Sequence, residues 1–192
     1  MSETTLTRAS AAGSFVVPFI ADAAQVRAAL PALDVRGVLA SMFAALGRGE
    51  AVQPPQTLAL FPREAGDFIT YLGVLADVGV FGAKLSPYIA GTAGAKPVIT
   101  AWTALLSMQT GQPLMWCDSA QLTTERTAGT TALAVDQLAP REARRLAVIG
   151  AGAAALAHIR HTAPLRAWEQ IRVYSPKLAG DAERAASVRA AD

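Results

Sequence analysis

The chain of 192 residues contains a single cysteine, Cys117. One cysteine excludes an internal disulfide and fits a reducing compartment, so a cytoplasmic protein is expected. With only two histidines, no set of side chains has zinc-ligand spacing. Aromatic residues make up 6% of the chain, and they do not alternate with basic residues as on a single-strand nucleic-acid face. The formal net charge of +2 comes from scattered lysines and arginines, so the pI near 9.0 concentrates no charge for nucleic acid or a membrane surface. The longest apolar run, Leu146–Ala157, is too short to span a bilayer and is interrupted by Gly150 and Gly152. The N-terminus lacks a basic segment followed by an apolar one, so no signal peptide is expected. No Ser-His-Asp arrangement and no phosphate-binding P-loop pattern is present. Nucleic-acid and membrane partners are therefore not expected.

The composition is 52% hydrophobic, much of it alanine. Leu146–Ala155 reads LAVIGAGAAA. Four apolar residues run into Gly150-Ala151-Gly152, and an alanine-rich helical pattern follows to about Ala163. That order of strand, glycine turn and helix is what a dinucleotide-binding βαβ unit requires. Gly150 permits the turn, Gly152 lets the backbone approach a pyrophosphate, and Ala155 lets helix and strand pack closely. The helix N-terminus at Ala153 and Ala154 offers free N–H groups to the phosphates. Ile171–Tyr174 supplies the second strand. At its end, where NAD sites place an acid for the ribose hydroxyls, the chain reads Tyr174-Ser175-Pro176-Lys177. Ser175 and Lys177 suit a 2′-phosphate instead, so NADP(H) is favoured over NAD(H). A complete fold of this kind needs about six strands and roughly 100 residues or more. Leu146–Asp192 is shorter, so the chain is expected to be the N-terminal part of a longer protein and inactive alone.

Upstream, Asp22 and Asp34 stand as helix N-caps. Val35, Val38, Leu39, Met42, Phe43 and Leu46 recur at helical spacing, with Gly47 as the expected stop. Thr57–Phe61, Phe68–Val74, Val78–Ile89 and Val98–Met108 read as strands. Gln109-Thr110-Gly111-Gln112 turns the chain into Pro113–Cys117, completing a hairpin in which Cys117 is a small buried hydrophobe. Asp118 or Ser119 caps a helix to about Leu138, and Pro140–Arg145 is a basic linker. His158 and His161 are expected on the exposed face of their helix. The expected fold is an α+β domain over residues 1–139, then an incomplete Rossmann-type α/β unit over residues 140–192.

Gly82-Ala83-Lys84-Leu85, Met108–Leu114, Leu122-Thr123-Thr124-Glu125-Arg126-Thr127-Ala128 and Leu133–Pro140, together with LAVIGAGAAA, resemble the ornithine cyclodeaminase/μ-crystallin family. The similarity covers roughly Asp34–Asp192. It implies a homodimer whose first domain serves dimerisation and substrate binding and whose second binds NAD(H) or NADP(H). The implied chemistry is hydride transfer at the α-carbon of an amino or imino acid. Lys84 and Arg126 match positions that bind the substrate carboxylate, and Lys84 is the candidate catalytic residue. Thr127 matches a cofactor-contacting threonine. The catalytic aspartate of the family falls beyond Asp192. Two departures bear on the substrate. Pro54-Pro55 is followed by Gln56 where many members have arginine, and Tyr71 has no nearby acid on its C-terminal side. Both favour a ketimine reductase acting on a cyclic imine such as pyrroline-2-carboxylate. The alternatives are an ornithine cyclodeaminase and a non-catalytic μ-crystallin-like binding or dimerisation fragment.

Overall fold

The computed structural model describes residues 17–91, 95–176 and 178–191. It begins with a short strand, β1 (Phe19–Ala21), and a helix, α1 (Ala23–Ala29). Asp22 starts α1 through a capping box: its carboxylate accepts from the Gln25 N–H at 2.8 Å, and the Gln25 side chain accepts from the Asp22 N–H at 3.0 Å. Asp34 caps α2 (Val35–Arg48) by accepting from the Gly37 N–H at 2.9 Å. Both caps stand where the sequence places them. The end of α2 does not. Gly47 lies inside the helix, and the left-handed cap is Gly49, whose N–H reaches the Ala45 and Leu46 carbonyls.

Seven strands follow: β2 (Ala51–Val52), β3 (Thr57–Leu60), β4 (Gly66–Leu75), β5 (Val80–Ile89), β6 (Val98–Ile99), β7 (Trp102–Ser107) and β8 (Pro113–Asp118). With β1 they form one sheet in the order β1-β8-β7-β5-β4-β2, with β3 on β4 and β6 on β5. All pairs are antiparallel except β1 with β8. The stretch expected as one strand, Val98–Met108, is two. Thr100 and Ala101 separate them, and the Ala101 carbonyl accepts from the Ser119 N–H at 2.8 Å, one step beyond the Trp102–Asp118 pair of β7 and β8. The hairpin of β7 and β8 turns at Gly111, as expected, and carries a bulge between Leu105 and Leu106.

Opposed residues share a face of the sheet, so the register sorts the side chains. One row reads Tyr71, Lys84, Thr103, Cys117, Ala21. The next reads Leu72, Ala83, Ala104, Trp116, Ile20 and points the other way. This second face is apolar and uncovered. Leu72 is 47% exposed, Ile20 61% and Phe81 36%, and Trp102 stacks on Trp116 there.

α3 (Ala120–Leu138) leaves the sheet, its first turn held by the Asp118 carboxylate accepting from the Ala120 N–H at 2.9 Å. A second, two-stranded sheet pairs β9 (Arg145–Ile149) with β10 (Gln170–Tyr174) in parallel. Between them runs α4 (Ala153–Thr162), and α5 (Ala182–Ala190) follows β10. α3 packs on α2 and on α4. Its buried residues are Ala128, Gly129 and Ala132, small enough to let helix backbones approach. A Cβ at Gly129 would stand 2.8 Å from Val35 Cγ1 and 2.9 Å from Leu39 Cδ1.

Glycine-to-alanine changes inside a helix ordinarily stabilise, by up to about 1 kcal/mol. At Gly129 the expected sign is reversed. Gly129→Ala overpacks the contact of α2 with α3 and lowers stability by about 1–3 kcal/mol, measured as a shift of the urea midpoint.

Candidate functional site

Lys84 lies in the middle of the sheet, opposite Tyr71 on β4 and Thr103 on β7. α3 begins over this face: the Thr103 hydroxyl donates to Ser119 Oγ at 2.8 Å, and Ser119 is buried. The Lys84 stem is half-buried, and its Nζ stands 4.3 Å from the centroid of the Tyr71 ring. Burial pushes the Lys84 ammonium below the usual lysine range, and the positive charge of Arg126 pushes it further. α3 thus places Arg126 near enough for its charge to be felt at Lys84. Among the described residues neither cation forms an ion pair. Two neighbouring cations without a carboxylate are matched to an anionic ligand, for which a guanidinium offers a bidentate fork and an ammonium a point charge. Thr127 is exposed on the next position of α3, its hydroxyl donating to the Thr123 carbonyl at 2.7 Å. Gln56 is exposed just before β3. Cys117 shares the row of Lys84 but is only 2% exposed, and burial raises its thiol pKa, which leaves it inert.

The second cluster is the glycine turn. Gly150 has φ 116°, a conformation that side-chain-bearing residues rarely adopt, and its N–H donates to the Tyr174 carbonyl at 2.8 Å. That bond joins the ends of β9 and β10. Gly152 is the N-cap of α4, with no side chain capping the helix. A Cβ built on Gly152 meets nothing within 4 Å. Gly152, Ala153 and Ala154 are exposed. An open, uncapped N-terminus with a bare glycine beside it fits a pyrophosphate, held by the first-turn N–H groups. Ser175 is half-buried at the end of β10, its carbonyl accepting from the Leu178 N–H at 3.1 Å. Lys177 lies outside the described residues. A cleft of about 310 Å³ runs beside the turn between α3, β9 and α4, lined by Thr131, Val135, Ala147, Ile149 and Ala154 among others. Lys84 and Arg126 do not line it.

The joint between α3 and α4 relates the two clusters, and it contains residues whose role periodicity does not reveal. Glu125, next to Arg126, accepts from Arg160 at 2.8 Å and contacts His161 Nε2 at 2.9 Å. His158 Nδ1 lies 2.6 Å from the Ala154 carbonyl, which only accepts, so Nδ1 carries the proton and Nε2 faces the Thr131 hydroxyl at 3.0 Å. Both histidines are half-buried at this joint and not on the exposed face expected of them, because α4 turns them onto the polar side of α3. The Arg166 guanidinium adds a third tie and, through a hydrogen bond, holds the Asp136 carboxyl below its usual range. Through His158, the first turn of α4 is fixed to Thr131, a little over one turn along α3 from Arg126. Among the described residues no cluster of His, Cys, Asp and Glu could hold a metal, and no single helix is long and apolar enough to cross a membrane.

A sequence model of the ornithine cyclodeaminase/mu-crystallin family matches residues 16–191. The NAD(P)H-dependent anabolic L-arginine dehydrogenase DauB of Pseudomonas aeruginosa is 51% identical over 179 residues, covering 93% of this chain and 56% of that protein. The structure of a probable ornithine cyclodeaminase from Bordetella pertussis superposes with TM-score 0.79 at 27% identity, over 91% of this chain and 53% of that one. The Δ1-pyrroline-2-carboxylate reductase of Thermococcus litoralis, solved with NADH and L-proline, shares the fold with TM-score 0.73 at 23% identity, over 89% and 55%. The chain spans about half the length of these relatives.

The unpaired cations have a measurable signature. Between the lowered Lys84 pKa and the ordinary lysine value, the unfolded chain binds a proton that the folded chain does not, so stability rises with pH across that window. Below it, the charged Lys84 opposes folding in full. Arg126→Ala removes the repulsion, so the pH at which Lys84 becomes reactive to an amine-acylating reagent moves up. Lys84→Met removes the buried charge and raises the melting temperature at neutral pH. An unchanged Lys84 labelling profile in Arg126→Ala would show that the two charges do not meet.

Proposed function

The chain belongs to the ornithine cyclodeaminase/mu-crystallin family, and on that premise we propose that the whole protein is an NAD(P)(H)-dependent oxidoreductase of amino and imino acids. Its favoured reaction is reduction of an imine at the α-carbon. The observation that carries this reading is Lys84, half-buried over the Tyr71 ring and within range of the Arg126 charge, with no ion-pair partner among the described residues. An α-imino acid carboxylate supplies the missing charge. Arg126 grips it with two parallel hydrogen bonds, and the Lys84 ammonium holds the C=N group in place. A dinucleotide held at Gly150–Ala154 would supply the hydride for the α-carbon, and the Lys84 ammonium at the C=N group is the proton source for the nitrogen. Thr127 contacts the cofactor from α3. Residues 1–139 form the substrate and dimerisation domain, and residues 140–192 begin the Rossmann domain.

The uncovered apolar face around Ile20, Leu72 and Phe81 supports a homodimer, since an exposed face of this kind marks an association surface. NADP(H) is favoured over NAD(H), because no acid occupies Tyr174–Lys177 and Ser175 and Lys177 suit a 2′-phosphate. A cytoplasmic location is supported by the lone, buried Cys117. For the substrate, the identity to an L-arginine dehydrogenase supports the imine of a basic amino acid. The neutral Tyr71 beside Lys84, with Gln56, supports a cyclic imine over ornithine.

Truncating one partner of a desolvated carboxylate–arginine pair costs about 2–5 kcal/mol. Arg126→Ala in the whole protein therefore raises KM for the imino acid by about 30-fold to several-thousand-fold, and Lys84→Ala lowers kcat as well. The discriminating assay compares Δ1-pyrroline-2-carboxylate, 5-guanidino-2-oxopentanoate with ammonium, and L-ornithine. Reduction of either imine with NADPH is expected to exceed turnover of ornithine. Faster release of ammonia from ornithine would make the protein a cyclodeaminase, and no turnover of any would leave a binding protein.

A further inference from the structure

α5 carries a cation that the reading above leaves unused. Asp181 caps the helix, its Oδ1 accepting from the Arg184 N–H at 2.8 Å and its Oδ2 accepting from Arg184 Nε at 3.0 Å. Those bonds hold the Asp181 carboxyl below its usual range and occupy both of its oxygens. The first acid after β10 in the sequence is thereby turned onto an arginine. The same bonds aim the guanidinium. Arg184 Nη1 reaches back across the unit to the Ala151 carbonyl at 3.4 Å. Ala151 is the middle residue of the glycine turn, and Gly150 beside it is bonded to Tyr174 at the end of β10. Three elements therefore meet at one point: the glycine turn, the end of β10 and the first turn of α5.

In a dinucleotide-binding βαβ unit that point is where the adenosine ribose lies, and an acid there reads a 2′-hydroxyl while an arginine accommodates a 2′-phosphate. We propose that Arg184 is the residue that selects a 2′-phosphorylated dinucleotide, an assignment that rests on the dinucleotide reading of Gly150–Ala154. An i,i+3 pair with the N-cap explains the Nε contact alone. It does not explain the reach to Ala151. The Nη1 contact is long for a hydrogen bond and is readily exchanged for a phosphate oxygen. Nη2 has no partner among the described residues and supplies the second arm of a bidentate grip. Asp181 acts as a positioning residue: it locks the stem of the fork and is itself withheld from the ribose hydroxyls.

The test is direct binding, by calorimetry, of 2′,5′-ADP, 5′-ADP, NADPH and NADH to the whole protein and to Arg184→Ala and Arg184→Lys. The unaltered protein is expected to bind 2′,5′-ADP at least tenfold more tightly than 5′-ADP. Arg184→Ala should remove most of that difference while changing NADH affinity less than twofold, and Arg184→Lys should restore part of it. Equal losses for NADPH and NADH would show a structural role and overturn the assignment. So would a silent Arg184→Ala with a selective loss in Lys177→Ala, or a protein that prefers NADH. If neither dinucleotide binds the unaltered protein, the dinucleotide reading fails first and the assignment falls with it.

Discussion

The approach of α3 to its neighbours is the constraint on which the rest of the arrangement depends. At Gly129 the helix has no side chain, and α2 closes onto it with Val35 and Leu39. On its other side, α4 is tied to α3 at Glu125 and Thr131, and Arg166, just beyond α4, adds a tie at Asp136. Less than one turn before Gly129, the same helix carries Arg126. The depth at which α3 seats therefore sets how near the Arg126 charge stands to Lys84. It also sets where Thr127 stands relative to the glycine turn. A helix with larger residues at Ala128, Gly129 and Ala132 would stand off from its partners and carry Arg126 and Thr127 away with it.

Placing Lys84 in the sheet works against folding. Its charge loses water and gains only the face of the Tyr71 ring and a repelling arginine. The ladders on both sides of β5 hold it there, since every residue of that strand from Val80 to Ile89 is paired with β4 and Val80–Leu85 are paired with β7 as well. The joint with α4 follows a different logic, with Glu125 shared by two basic groups and His158 bonded at both ring nitrogens. Lys84 and Arg126 have no ion pair among the described residues, while the charges at the helix joint are paired.

Much of this was legible in the chain. Asp22, Asp34 and Asp118 announce helix starts because a short acid before an apolar period has few other uses. The glycine turn is legible because Gly150 must accept a positive φ and Gly152 must leave space. Other features resisted reading for physical reasons. Gly47 reads as the stop on paper, and the carbonyls available to the cap, those of Ala45 and Leu46, move it to Gly49. The break between β6 and β7 leaves no mark, because Val98, Ile99, Thr100 and Trp102 are all residues that strands favour. His158 and His161 looked exposed because their own helix is polar there, and it is α3 that covers them. Arg184 was invisible for the same reason: its partner at Ala151 is distant in sequence, and an arginine within a polar helix has no signature of its own.

The pairing of β1 with β8 has a consequence for how the chain assembles. Most of the large sheet is built from near neighbours, β4 against β5 and β7 against β8, whose ladders zip outward from short turns. The smaller sheet is also local, since β9, α4 and β10 are consecutive. β1 is the exception, because Phe19 must find Met115 across the whole of the intervening chain. Closing so long a loop costs entropy that only a preformed docking edge offsets. The first strand in sequence is thus expected to be the last to join the sheet. Amide protons of Phe19–Ala21 should accordingly gain protection from exchange later in refolding than those of β4 and β5.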